Sequence, residues 1–330
     1  MITHVVKALS VAAIWIASVS MAPIPVLALA ELVHDSDFVV VGRVAAIVDG
    51  GSAAMSGGGA GRRLSSTIVI DDVIKGPFED STIDVTFIQP DEPVGFRGVV
   101  ADTYGIFFLR RSDGRVGFTS PYYPYLIALP GFRSSGQSAM DRAVDVIGNV
   151  LRSGGSDASQ TEAIWALRGS QNAAAIAALK TSLRHANREI ALRSAAALLS
   201  AGDLAGLPVI ASALEQNRVG ISDETYLTAL GSLSEVSQPA AAPTLERLLA
   251  RGDVGTRRAT IQSLRKLGVL SAAPAFIQSL DDNDVEVRHH AVMALAELTR
   301  QNEWGPSIDA FTADERRYIA HWKEWAKERK

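Results

Sequence analysis

The chain of 330 residues contains no cysteine. That excludes disulfides, a thiol nucleophile, a thiolate metal site and a lipid-bearing N-terminal cysteine. Aromatic residues are sparse, at 6%. An excess of positive charge is also lacking, since Lys+Arg 32 against Asp+Glu 36 leaves a net charge of -4. Residues 31–152 carry 11 basic and 15 acidic side chains, and residues 153–330 carry 20 and 21. Neither half offers the basic surplus that a phosphate backbone demands, so nucleic acid is not expected as a partner. No G-x-S-x-G elbow and no H-E-x-x-H helix occurs, and no catalytic residue, cofactor or metal site is expected.

What the chain does have is apolar material, 47% of its residues, enough to bury ample core over two domains. The first stretch reads as an export leader. Lys7 supplies the charge, Ala8 to Ala22 the apolar run, and Ala28-Leu29-Ala30 the small-x-small pattern. Cleavage is expected after Ala30, which makes residues 1–30 a signal peptide and the protein periplasmic or secreted. No later segment is long and apolar enough to span a membrane.

Residues 31–135 read as a small β domain. Val39-Val40-Val41, Ser66 to Ile74, Thr82 to Ile88, Ile106 to Leu109 and Val116 to Phe118 are short β-branched or alternating runs with close turns. They predict an antiparallel barrel or sandwich. The glycine-rich stretch Gly50 to Gly61 is followed by a strand instead of a helix start, and it predicts a flexible hairpin loop, not a phosphate cradle. Residues 136–156 predict a linker helix, with Ala143, Val144, Ile147 and Leu151 on one face.

The C-terminal half carries an internal echo. Pro208, Pro243 and Pro274 each precede a leucine by six residues, and Leu183, Leu214, Leu249 and Leu280 lie 31, 35 and 31 residues apart. That period holds two helices and two turns, the unit of a stacked solenoid. First helices are expected to include Ala173–His185, Leu204–Gln216, Ala240–Ala250 and Leu270–Leu280. Second helices are expected near Gln160–Gly169, Arg188–Ala201, Asp223–Leu233, Val254–Leu267 and Val285–Arg300. Asp223, Asp253 and Asp284 stand where a carboxylate caps a helix start. Arg257 and Arg288 follow such an aspartate by four residues, whereas Leu227 and Thr161 stand at the corresponding places in other units.

Asp281 to Leu295, Gly252 to Ala259 and Ala272 to Ile277 resemble HEAT repeats of the short bacterial type. The resemblance spans about residues 157–300, within a repeat domain expected at 157–302, and implies an α-α superhelical, armadillo-like solenoid whose Asp and Arg form ladders between layers. Leu227 and Thr161 depart from it, so their layers are expected to be joined differently. Repeats of this type also occur in bilin lyases of light-harvesting systems, and the export leader argues against that activity because those enzymes act inside the cell. Val41-Gly42-Arg43-Val44, Val73 to Gly76 and Tyr104 to Leu109 resemble small exported barrels of the OB or metalloproteinase-inhibitor type. Such inhibitors grip metal with an N-terminal cysteine that is missing here. Residues 303–330 are expected to form a capping helix with Tyr318, Ile319, Trp322 and Trp325 on one face.

The fold class expected is therefore a small antiparallel β-barrel or sandwich followed by a HEAT-like solenoid. Its expected role is non-catalytic binding of a protein partner in the cell envelope. The alternatives are an inhibitor of an extracellular hydrolase acting through the β domain, and a hydrolase with a site not visible in the sequence. On a helical wheel Trp165, Tyr226, Arg258, Gln262, Arg265, His290, Met293 and Glu297 fall outside the Ala/Leu stripe, and these are the candidate binding residues. Their types are common at interface centres, although Trp165 and Tyr226 suit packing between layers equally well. The adjacent His289 and His290 point about 100° apart on a helix, which argues against one shared ion.

Overall fold

The structure, a computed structural model, describes residues 29–55, 59–91, 96–216 and 220–328. It begins with helix α1, Leu29–Asp35, and continues through strands β1 Phe38–Ala54, β2 Ala60–Lys75, β3 Thr82–Pro90, β4 Tyr104–Ser112, β5 Arg115–Phe118 and β6 Tyr125–Ile127. The sheet is antiparallel in the order β3-β2-β1-β4-β5, with β6 also paired to β4. Apart from Leu29 and Ala30 in the first turn of α1, the expected leader lies outside the described residues; Leu29 itself is buried.

Both faces of the sheet are covered, which is why its central strands read as unbroken apolar runs. Phe38 and Val40, with Leu109 and Phe107 opposite them, join Ile68, Ile83 and Val85 in a core on one face. The alternate residues Val39 and Val41, opposite Phe108 and Ile106, turn to the other face and pack on helices. The sheet curls until β3 and β5 meet, with the Phe87 and Phe118 ring centres 5.0 Å apart. No backbone ladder joins β3 to β5 among the described residues, so the structure is a curled sheet and closure into the expected barrel is not seen.

The glycine-rich stretch differs from its expectation. The β1–β2 ribbon runs out to Ala54 and back from Ala60, because a bulge between Asp49 and Ser52 absorbs the glycines without ending the ladder. The Asp49 carboxylate accepts a hydrogen bond from Gly51 N at 2.8 Å and so fixes the bulge. Only residues 56–58 of the expected loop fall outside the described set.

Helix α2, Ala139–Arg152, starts with a capping box in which Ser138 and Asp141 satisfy each other's backbone. It is more than the expected linker. Ala143, Val144, Val146, Ile147, Val150 and Leu151 are all buried, in one cluster with Val39, Ile106 and Phe108 of the sheet and Ala175, Ala178 and Leu179 beyond it. The first repeat helices thus share a core with the β sheet. Two polar clamps flank it. Arg142 reaches Asp72 at 2.8 Å, and Arg97 reaches Glu162 at 2.7 Å.

The solenoid contains α3 Asp157–Leu167, α4 Ala173–Thr181, α5 Arg188–Ser200, α6 Leu207–Glu215, α7 Asp223–Ser234, α8 Ala242–Arg251, α9 Val254–Leu267, α10 Ala273–Ser279 and α11 Val285–Thr299. The three prolines sit in the first turns of α6, α8 and α10, where no intrahelical N–H is lost. Asp253 and Asp284 cap α9 and α11, but Ser222 rather than Asp223 caps α7. The array ends in α12, Ile308–Ala313, and α13, Glu315–Lys327, whose Trp322 is fully buried against the last layer.

One side-chain rail joins the starts of the second helices. Asn187 donates to Asp157 at 2.7 Å, and Ser222 and Thr225 donate to Glu189. The Tyr226 hydroxyl donates to Asp253 at 2.8 Å; Arg258 forks onto Asp284 at 2.9 and 2.7 Å; Arg288 holds Glu315 at 2.7 Å. The layer with Leu227 is indeed joined differently, through the tyrosine one residue earlier. Gly255 makes room for that tyrosine, since a Cβ there would lie 2.5 Å from the Tyr226 hydroxyl oxygen.

Gly231 has no such duty. It lies in the middle of α7, exposed, with nothing within 4 Å of a Cβ built there. Gly231→Ala is expected to raise stability by about 0.5–1 kcal/mol through the smaller entropy loss of alanine in a helix. Urea denaturation checks this, and an unchanged or lowered midpoint would contradict it.

Candidate protein-binding face

The rail leaves one long side of the second helices toward solvent. Four of the eight candidate residues meet there. Gln262, Arg265, His290 and Glu297, with Lys266, line a shallow groove of about 420 Å³ between α9 and α11. Arg265 forks onto Glu297 at 2.9 and 2.5 Å, and one of its terminal nitrogens lies 3.4 Å from His290 Nδ1. Gln262 Nε2 lies 3.4 Å from His290 Nε2. Lys266 donates to the Ser234 carbonyl at 2.9 Å and so ties the groove to α7.

The other four candidates fall elsewhere. Arg258 is a rail residue, paired with Asp284 and, at 3.1 Å, with Glu286. Tyr226 is 7% exposed and occupied with Asp253, so it packs at the layer junction and does not face a partner. Trp165 is half-buried and stacks on Tyr123 of the β region at 5.0 Å. Met293 is half-buried, its sulfur 3.4 Å from where a Gly305 Cβ would stand. Leu227, by contrast, is 64% exposed on α7, an apolar side chain on a helix that carries a wet face.

His290 is pushed down to about 4, first by desolvation, then by the nearby Arg265 and His289, with Glu297 acting in the opposite sense. Its folded value lies below the ordinary 6.5, so the unfolded chain takes up the proton more readily. The associated stability is complete above about 6.5 and is lost as pH falls toward 4. His290→Gln keeps an amide in the groove and removes the titration. Its melting temperature is expected to fall less than the wild type's across that window, and an identical pH slope would contradict the assignment.

His289 and His290 do not converge. His289 Nε2 contacts the Pro306 carbonyl at 2.9 Å, while His290 faces α9. The acidic loop at 281–286 is neutralised side chain by side chain. Asp282 binds Arg257, Asp284 and Glu286 bind Arg258, and Asp281 binds Lys323. No group of three or more metal-ligating side chains occurs among the described residues. No helix among them is long and apolar enough to cross a membrane.

A second cavity lies in the β region, where the sequence offers no candidate site. It holds about 590 Å³ between β3, β5 and the segments 96–99 and 121–124. The run Pro121-Tyr122-Tyr123-Pro124 is the sequence signal nearest to it, and Pro121, Tyr122 and Pro124 line the cavity while Tyr123 stacks on Trp165.

Comparison with known proteins bears on the helical half. Residues 220–296, which span α7 to most of α11, match the family model for HEAT repeats. No curated protein matches. Among solved structures, the complex of CpcE and CpcF of phycocyanin lyase from Nostoc sp. PCC7120 is 21% identical, with a TM-score of 0.38. The likeness covers 54% of this chain and 71% of that one. The chain thus combines an antiparallel β region with HEAT-like helical repeats, an architecture suited to protein interaction.

Proposed function

We propose that this chain is a non-catalytic scaffold of the cell envelope, periplasmic or secreted, that holds a protein partner on the groove between α9 and α11. The observation that carries this reading is the convergence of Gln262, Arg265, Lys266, His290 and Glu297 on one open surface next to the HEAT-like core. Charged and amide groups at the rim of a rigid helical layer supply orientation and partner choice. The leader supports export. A mature chain beginning at Glu31 gives up the buried Leu29, and the intact mass of the exported protein decides where it starts.

The test is a cross-linked pull-down from envelope and culture medium with the full chain as bait. Wild type is compared with the paired swap Arg265→Glu, Glu297→Arg, which keeps the ion pair but inverts the charge pattern of the groove. The expected result is a partner retained by wild type and lost by the swap at unchanged melting temperature. A partner held equally by both would move binding off this face.

A further inference from the structure

The cavity of the β region is built differently from the helical groove, and its role stands apart from that of the groove. Its volume, about 590 Å³, lies in the small-molecule range of about 300–1,000 Å³. Two aromatic pairs frame it: Phe87 with Phe118 at 5.0 Å, and Phe96 with Tyr122 at 4.6 Å. Pro90, Pro121 and Pro124 add rigid apolar wall.

Among the described lining residues one cation stands out, Arg97. Its side chain is 25% exposed, and the guanidinium carbon sits 4.0 Å from the centre of the Tyr125 ring. Its Nη1 is engaged by Glu162 at 2.7 Å and approaches the Tyr125 carbonyl at 3.4 Å. The Nε and Nη2 groups have no partner among the described residues. Those two nitrogens form the fork that matches a carboxylate, and a guanidinium stacked on a ring is already held in place for it.

We infer that this cavity binds a carboxylate carried on a flat apolar body, with Arg97 holding the carboxylate and the two aromatic pairs holding the body. The same chemistry is offered by a free aromatic acid and by a peptide ending in a free-carboxylate phenylalanine.

Calorimetric titration of the full chain tests this with hydrocinnamate, its neutral amide, and the peptide Ala-Ala-Phe in free-acid and amidated forms. The expected result is saturable binding of at least one carboxylate form at about 1 mM or tighter, and at least about tenfold weaker binding of its amide. Whichever carboxylate form binds more tightly identifies the source. Arg97→Gln is expected to weaken that ligand about tenfold or more. Because Arg97 also clamps Glu162, two further variants separate binding from folding. Tyr122→Ala removes a half-buried rim ring and is expected to lower affinity with the clamp intact. Glu162→Gln removes the competing carboxylate and is expected to raise affinity, an effect that a merely structural Arg97 would not produce. Absence of saturable binding by both acids, equal binding of acid and amide, or unchanged affinity in Arg97→Gln would overturn the inference.

Discussion

Replacing Phe108 by alanine is expected to lower the stability of the chain by about 3–5 kcal/mol. Phe108 is 0% exposed in the middle of β4 and belongs to the cluster that includes Val144 and Ile147 of α2. Truncation removes the transfer energy of the ring and leaves a void that strands and helix cannot both collapse into. The more telling readout is where protection is lost. Hydrogen exchange followed by mass spectrometry should show faster exchange in peptides of β1, β4 and α2 together. Unchanged protection of α2 with a loosened sheet would mean two independent cores.

The second large effect is expected at Arg257. It forks onto Asp282 at 2.7 and 2.9 Å and donates to the Gly252 carbonyl at 3.0 Å. The two side chains are 19% and 12% exposed. Arg257→Ala leaves a largely desolvated carboxylate with the Asp284 N–H at 2.8 Å as its remaining donor, and a loss of about 2–3 kcal/mol is expected, less than for a fully buried pair because some water reaches both groups. Arg265→Ala breaks a fork of similar geometry, but Glu297 is 45% exposed and rehydrates at once. Its loss should be about 1 kcal/mol or less. Urea midpoints of the two variants, read with the double variant Arg257→Ala, Asp282→Ala, decide this. Equal costs for Arg257 and Arg265, or no recovery in the double variant, would show that burial is not the controlling variable.

The repeats were the most legible part of the chain because their signals are local. A proline followed by leucine six residues on, an aspartate before a helical run and a stripe of alanine and leucine each act within one or two turns, and α3 to α11 fall where those signals put them. The rail was half legible. Arg288 could be assigned to the layers, but Tyr226 taking over at the layer of Leu227 depends on the space left by Gly255 across a helix interface. The length of the β1–β2 ribbon was hidden because glycines read as a loop unless a bulge lets pairing continue. The wheel sets all eight candidates outside the Ala/Leu stripe; four of them line one groove, whereas Arg258 and Tyr226 have partners in the next layer that a wheel cannot display. The β cavity was missed because its walls come from segments far apart in sequence, and only folding brings Phe96 onto Tyr122 and Arg97 onto Glu162.

The shared core of sheet, α2 and α4 also bears on how such an array can change in length. A stack of repeats ordinarily grows or shrinks by whole units at either end. Here the first unit is fused to the sheet through Val39, Phe108 and Ile147, and the last is sealed by Trp322 and the Arg288–Glu315 pair. Both ends of the array are specialised, so a duplicated unit finds a matching seat in the interior, and the α9–α11 junction held by Arg258 and Asp284 is one such seat. Copying a repeat at that seat would duplicate the groove residues of α9 and α11 along with the fold.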